Sequence, residues 1–264
     1  ILPISEPLLL AVDLGTSGPK ASVLSVKGDI LTNVHKPSNI IYLPKGGVEQ
    51  SPSAWWSAVC EAIDEALTSP EVDRSAIVGI ATTAQWSGTV AIDDLGKPLM
   101  NAIIWMDSRG APQIQEKVRG NLNFQGYSLR KLMHWIRKTG GAPGKSGKDP
   151  LAHILYIKEQ RPEIYEKTSK FLEPKDYLNF LFTGRIRSSY DAITLHWVTD
   201  NRDINNIHYD KQLMQMAGLD ANKLPPLSSA TSVLGAIKPE IAKRFGLKQD
   251  VRVVVSSADI HTAA

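Results

Sequence analysis

A chain of 264 residues is long enough to bury a substantial core, as one large domain or two small ones. Hydrophobic residues at 42% and charged residues at 22% describe an ordinary soluble globular protein, and a net charge of +3 is too mild to argue for a nucleic-acid partner. The apolar runs are too short to span a bilayer, none follows a charged signal-peptide segment, and the one cysteine, Cys60, excludes a disulfide framework and fits a reducing, cytoplasmic setting.

In chain order, Leu8–Asp13, Ala21–Val26 and Ile30–His35 read as short strands separated by turns, which predicts an antiparallel meander. The first turn, Gly15 to Gly18, gathers the hydroxyls of Thr16 and Ser17 and several backbone N–H groups at one spot. Concave turns of this kind bind anions such as phosphate. Asp13 ends the first strand, where it could hold a cation or a metal-bound water, and Lys20 adds a point charge. Glycine and serine are also ordinary residues of a plain hairpin, so the turn alone leaves both readings open.

A helix follows, with Ser53 as N-cap and Trp56, Val59, Cys60, Ile63 and Leu67 on one face. Cys60 on that face reads as core. Ala76–Thr83 is a β-rich run of the kind found in buried parallel strands, and Val90–Ile92 and Ala102–Trp105 continue as strands around the turn at Asp93–Gly96. This order predicts an α/β fold with a mixed β-sheet.

Residues 110–185 are predicted to be mostly helical. Tyr127–Thr139 runs into Gly140-Gly141. Asp149 and Pro150 supply an N-cap and a first-turn proline for a helix through Gln160, and Glu173–Phe182 stops at Thr183-Gly184. Further helices are predicted at Asp210–Ala217 and Pro239–Phe245, then a strand at Val251–Val255 leading into a helix start. The stretch Gly140 to Ser146 imitates a P-loop, but Thr139 stands where a glycine is required, and the stretch follows a helix rather than a strand. No histidine or cysteine spacing suits a protein zinc site. The chain begins at Ile1 and stops at Ala264 as a new element opens, which predicts a piece of a longer protein.

Six stretches, taken together and in order, resemble the amino-terminal domain of the FGGY family of carbohydrate kinases, with a layout most like the xylulose kinases. They are Asp13–Lys20, Val48–Trp56, Gly79–Gly88, Ile104–Arg109, Lys175–Gly184 and Ser256–Asp259. The resemblance implies a ribonuclease-H-like lobe of the actin and hexokinase superfamily, its mixed sheet flanked by helices. It also implies a sugar bound mainly on this lobe, with residues 1–264 as the sugar-binding lobe and ATP held mainly by a carboxy-terminal lobe absent from this chain. On that basis Asp259 is expected to be the general base. Gln85, Trp86, Ser87, Trp105 and Asp107 are expected to line the sugar site. Thr16, Ser17 and Lys20 are expected to face the transferred phosphate, with Mg²⁺ at Asp13, directly or through water.

Plainer roles remain open for several of these residues: core for Trp105, a helix cap for Asp107 or Asp259, and an ion-pair partner for Arg109. The expected function is ATP-dependent phosphorylation of a ketopentose such as D-xylulose. Alternatives are a related kinase for another ketose, polyol or sugar acid, or a non-catalytic sugar sensor on the same fold. Three departures, the first of them from the xylulose-kinase pattern, limit the substrate reading and suggest an unusual sugar or a weakened site. Trp86-Ser87 stands in place of Met-His, Ile260 follows the expected base where an amide is usual, and Pro19 removes an N–H near the phosphate turn. No membrane partner is expected, and a homodimer is one option for the assembly.

Overall fold

The computed structural model describes residues 6–262. Ile1 and Ala264, on which the expectation of a longer protein rested, lie outside the described residues. The central feature is a six-stranded mixed sheet: β1 (Leu8–Gly15), β2 (Gly18–Ser25), β3 (Ile30–His35), β4 (Ile77–Ala84), β5 (Val233–Ala236) and β6 (Arg252–Val254), in the spatial order β5-β6-β4-β1-β2-β3. The first three strands form the expected antiparallel meander. β4 runs parallel to β1, β6 runs parallel to β4, and β5 closes one edge antiparallel to β6.

Alternation along β1 explains how the sheet is anchored. Leu8, Leu10, Val12 and Leu14 are all buried, as a period of two requires for one face of a strand packed against a core. Helices α1 (Pro52–Ala66), α6 (Pro174–Thr183) and α8 (Pro239–Phe245) bury Val59, Ile63, Leu178, Phe182, Ile241 and Phe245 in the same core. Cys60 is part of it, and burial pushes its thiol pKa up to about 11, which keeps it protonated. A second core lies under α2 (Ala111–Val118), α3 (Leu129–Thr139), α4 (Pro150–Gln160), α5 (Pro162–Lys167) and α7 (Lys211–Ala217), built on Ile114, Trp135, Leu151, Ile154, Tyr165 and Leu213. Among the described residues no helix is long and apolar enough to cross a membrane.

Several boundaries differ from expectation. Ser51, not Ser53, caps α1: its hydroxyl accepts the Ala54 N–H at 3.3 Å, and Pro52 takes the first helical position, where a missing N–H costs nothing. Of the two neighbouring tryptophans, Trp55 is consequently fully buried, while Trp56 is half-buried, edge-on to Phe182 with ring centroids 5.2 Å apart. The helix expected from Tyr127 begins at Leu129, because Gln125 and Gly126 take φ values of 49° and 85° and turn Asn123–Phe124 back onto Tyr127–Ser128. Lys170–Leu172 is a strand inside the stretch expected to be mostly helical, paired with Val90–Ile92. Asp149 sits at the N-cap of α4, but its carboxylate turns away to the Gly144 N–H and the Trp197 indole.

The β1–β2 connection requires one glycine strictly. Gly18 has φ of +137°, and a Cβ there would lie 1.9 Å from the Lys36 carbonyl oxygen. Gly18→Ala should therefore destabilise the fold by about 3 kcal/mol or more, a drop of roughly 6–12 °C in Tm for a chain of this size. Gly28→Ala is the control: φ is +95° but nothing lies within 4 Å of the added carbon, so only the backbone cost of about 1 kcal/mol is expected. Thermal melts of the two variants check this; equal shifts would contradict it.

Candidate active site

The three parallel strands β1, β4 and β6 deliver their carboxyl ends to one edge of the sheet, the edge at which open α/β sheets collect ligands. β1 ends in the two-residue turn Thr16-Ser17, β4 runs into Gln85-Trp86-Ser87, and β6 leads through Val255–Ala258 to α9 (Asp259–Thr262). Gln85, Trp86, Ser87, Trp105, Asp259 and Ile260 line a cleft of about 480 Å³. Five of these were expected sugar-site or catalytic residues, and tertiary structure brings them together. Asp13 and Lys20 sit in an adjoining groove with Thr83, Ser256 and Thr262. Ser17 is exposed at the tip of its turn. Pro19 lies past the turn, inside β2 and opposite Leu14.

A hydrogen-bonded chain fixes the cleft wall. The Trp105 indole N–H donates to Thr16 Oγ1 at 2.9 Å, and that hydroxyl donates to Gln85 Oε1 at 3.1 Å. Gln85 Nε2 donates to Gln50 Oε1 at 2.7 Å, and Gln50 Nε2 closes the loop on the Thr16 carbonyl at 3.0 Å. Gln50 is fully buried and had no expected role. Its only signal was its place in one of the six family-like stretches. Ser87 adopts φ of +64° and donates its hydroxyl to the Lys148 carbonyl at 2.7 Å. The Trp86 N–H donates to the Ala192 carbonyl at 2.9 Å, and its ring meets His261 edge-on.

Asp259 opens α9 and accepts the Ile260 N–H at 2.8 Å. Its carboxyl is held above the usual carboxylate range, first by burial and then by the negative charge of Asp13, against the pull of backbone N–H groups. The loop before it is held from several sides. Val255 O accepts from Lys175 Nζ at 2.9 Å and from Asn179 Nδ2 at 2.8 Å. The Thr83 hydroxyl donates to Ser257 O at 2.9 Å, and the Ala258 N–H reaches Asp191 at 3.3 Å. On the other side of the cleft, the Gly88 N–H donates to Glu173 Oε2 at 3.1 Å. Burial, reinforced by the charge of Asp176, pushes the Glu173 carboxyl well up.

Lys20 Nζ lies 3.2 Å from Asp13 Oδ2. The second oxygen, Asp13 Oδ1, is buried with no hydrogen-bond partner. An orphaned carboxylate oxygen beside the Thr16-Ser17 turn suits a divalent cation that takes its remaining ligands from outside the chain. Among the described residues no cluster of three His, Cys, Asp or Glu side chains is arranged as a metal site.

Asp107 departs from expectation. It is 1% exposed and stands outside the cleft lining. Its oxygens accept the Val48 N–H at 2.7 Å and the Arg109 N–H at 2.8 Å, and the Arg109 guanidinium bridges it to Glu49 at 2.7 and 2.6 Å. Arg109 also lies 4.8 Å over the Tyr156 ring. The ion-pair alternative for Arg109 describes this geometry, and the pair locks the Ile104–Arg109 segment that presents Trp105.

A family model for the amino-terminal domain of the FGGY family of carbohydrate kinases matches residues 8–264. The chain belongs to that family. It is similar to the xylulose kinase of Bacillus subtilis (strain 168), 29% identical over 255 residues that cover 95% of this chain and 47% of the relative. The chain thus spans about half the length of the curated relatives it matches. Among solved structures it is similar to Plasmodium falciparum glycerol kinase with ADP, with a TM-score of 0.83 at 19% identity, covering 98% of this chain and 49% of that one. It is also similar to gluconate kinase from Lactobacillus acidophilus, with a TM-score of 0.81 at 21% identity, covering 97% and 48%. At such identities the likeness is one of fold: an α/β lobe of the actin and hexokinase type, whose mixed sheet is flanked by helices.

Removing the Arg109 cation strands two buried carboxylates. Arg109→Met should cost about 3–5 kcal/mol of stability, read as a fall in the urea midpoint. Asp107→Asn should likewise act on stability. A stable Asp107→Asn variant with a raised KM for sugar would return Asp107 to the binding site.

Proposed function

We propose that this chain is the sugar-binding lobe of an ATP-dependent carbohydrate kinase that phosphorylates a ketose hydroxyl, with D-xylulose the first acceptor to test. The observation that carries this reading is Asp259, a carboxylate at the start of α9, inside the cleft lined by Trp86 and Trp105 and within electrostatic reach of Asp13. Family membership and the likeness to the xylulose kinase of Bacillus subtilis support it.

Each residue has a chemical role in this reading. The acceptor hydroxyl lies in the cleft and gives its proton to Asp259 while its oxygen bonds to the γ-phosphorus. The bond from that phosphorus to the β–γ bridging oxygen breaks, and ADP departs. A sugar hydroxyl is a weak nucleophile at neutral pH, and a positioned base is worth about 10²–10⁴ in rate. The Thr16-Ser17 turn and Lys20 face the transferred phosphoryl group. Asp13 would hold Mg²⁺, which would offset phosphate charge. In this reading the nucleotide itself is held by a second lobe, and the chain spans about half the length of the curated relatives it matches. Cytoplasmic residence belongs to the same reading.

In the complete two-lobe enzyme, Asp259→Asn should lower kcat by roughly 10² or more. Asparagine keeps the size and capping ability of aspartate, so Tm and ATP affinity should hold. Normal turnover in this variant would refute the assignment. The pH profile gives a second check. A base works when deprotonated, and burial with Asp13 raises its pKa. The acidic limb of kcat/KM should therefore lie above the value of about 3.9 for a free aspartate. Residues 1–264 alone should show no useful turnover, because positioning of the nucleotide supplies most of the catalysis in phosphoryl transfer.

A further inference from the structure

The polar side chains lining the cleft on this lobe, apart from Asp259, already hold partners within the chain. Gln85 has Nε2 committed to Gln50 and Oε1 to Thr16, at 2.7 and 3.1 Å. Both indole N–H groups donate within the chain, Trp86 to Ala192 O and Trp105 to Thr16 Oγ1, each at 2.9 Å. The Ser87 hydroxyl donates to Lys148 O at 2.7 Å. These bonds form one fixed wall rather than a set of free ligands, because Gln50, which receives Gln85, is fully buried and bonded in turn to two backbone carbonyls. What the cleft offers a ligand is carbon: the faces of Trp86 and Trp105, the latter 43% exposed, and the side chain of Ile260, 62% exposed, beside the one carboxylate of Asp259.

This surface selects against hydroxyl groups. A hydroxyl moved from water onto it loses hydrogen bonds it cannot replace. A methyl group in the same place gains contact with isoleucine and indole. Sugar C–H faces also lie well on indole rings. Resting on the kinase reading above, we propose that the acceptor is a deoxy or C-methyl ketose or polyol. One hydroxyl meets Asp259, and a methyl-bearing end or face packs on Trp86, Trp105 and Ile260. Ile260 is the specificity-determining residue, since it stands next to the base and is, among the described residues, the one aliphatic side chain lining the cleft.

The test uses the complete two-lobe enzyme and a coupled assay for ADP release. Two matched acceptor pairs differ by one terminal hydroxyl: 1-deoxy-D-xylulose against D-xylulose, and a 6-deoxyhexulose against its parent hexulose. The expected result is a kcat/KM at least about tenfold higher for the deoxy member of one pair or both, within the roughly 10²-fold that an apolar pocket can enforce against a hydroxyl. Ile260→Asn restores a donor and an acceptor at an exposed position. It should erase that preference by raising kcat/KM on the hydroxylated member, with Tm unchanged. Equal or better use of the hydroxylated member in both pairs would overturn the inference while leaving the kinase reading intact. No ATP-dependent phosphorylation of any of the four acceptors would overturn the kinase reading and this inference together.

Discussion

A single carbonyl oxygen, that of Val255, is the point on which this lobe turns. It stands between the end of β6 and the loop that carries Asp259, and it receives two donors from α6, Lys175 at 2.9 Å and Asn179 at 2.8 Å. Burying a lysine is costly unless its charge is met. Here Asp176, the next residue, meets it, and the carbonyl takes a second proton of the ammonium. Asn179 is held in turn by the Thr82 hydroxyl at 2.8 Å, so β4, α6 and β6 are tied through one buried network. The first residue of the loop, Ser256, sits at φ of +65°, a strained conformation for a side chain that persists only where its surroundings impose it.

The same helix grips the other side of the cleft. Glu173, at the N-cap of α6, accepts the Gly88 N–H just past Gln85-Trp86-Ser87. Gly88 is open to nothing larger, since a Cβ there would lie 2.4 Å from Pro174. One helix of ten residues therefore sets the distance between the aromatic wall and the carboxylate. The wall is stiff for a related reason. Thr16 bonds at once to Gln85, Trp105 and, through its carbonyl, Gln50, so the phosphate-turn candidate and the sugar-site candidate are parts of one hydrogen-bonded unit. A displacement at either would be felt at the other.

The local parts of this arrangement were legible in the chain. The meander, the β1–β2 turn, β4, α6 and α8 announce themselves through period-two alternation, small turn residues, and prolines and glycines at helix ends. The misreadings share a cause. Asp107 carries the polar side chain a sugar site needs, and nothing in its neighbours says that Glu49, 58 positions earlier, arrives to share Arg109 with it. Gln50 is silent for the same reason, because its partners come from Thr16, Asn39 and Gln85. The hairpin at 123–128 was missed because Gln125 takes a positive φ that glutamine does not advertise.

Sequence by itself determined where most strands and helices form, because strand alternation, caps and turns are decided by residues a few positions apart. It also determined the family, through six short stretches in order. Only the tertiary structure decided what those stretches do to one another. It placed Asp259 beside Trp86 and Trp105, moved Asp107 out of the cleft into a buried ion pair, and engaged the polar atoms of Gln85 and Ser87 in the wall itself. Those outcomes depend on contacts between residues tens to hundreds of positions apart. A side chain's chemistry is settled by which of its atoms remain without a partner, and that is known only once the chain has closed on itself.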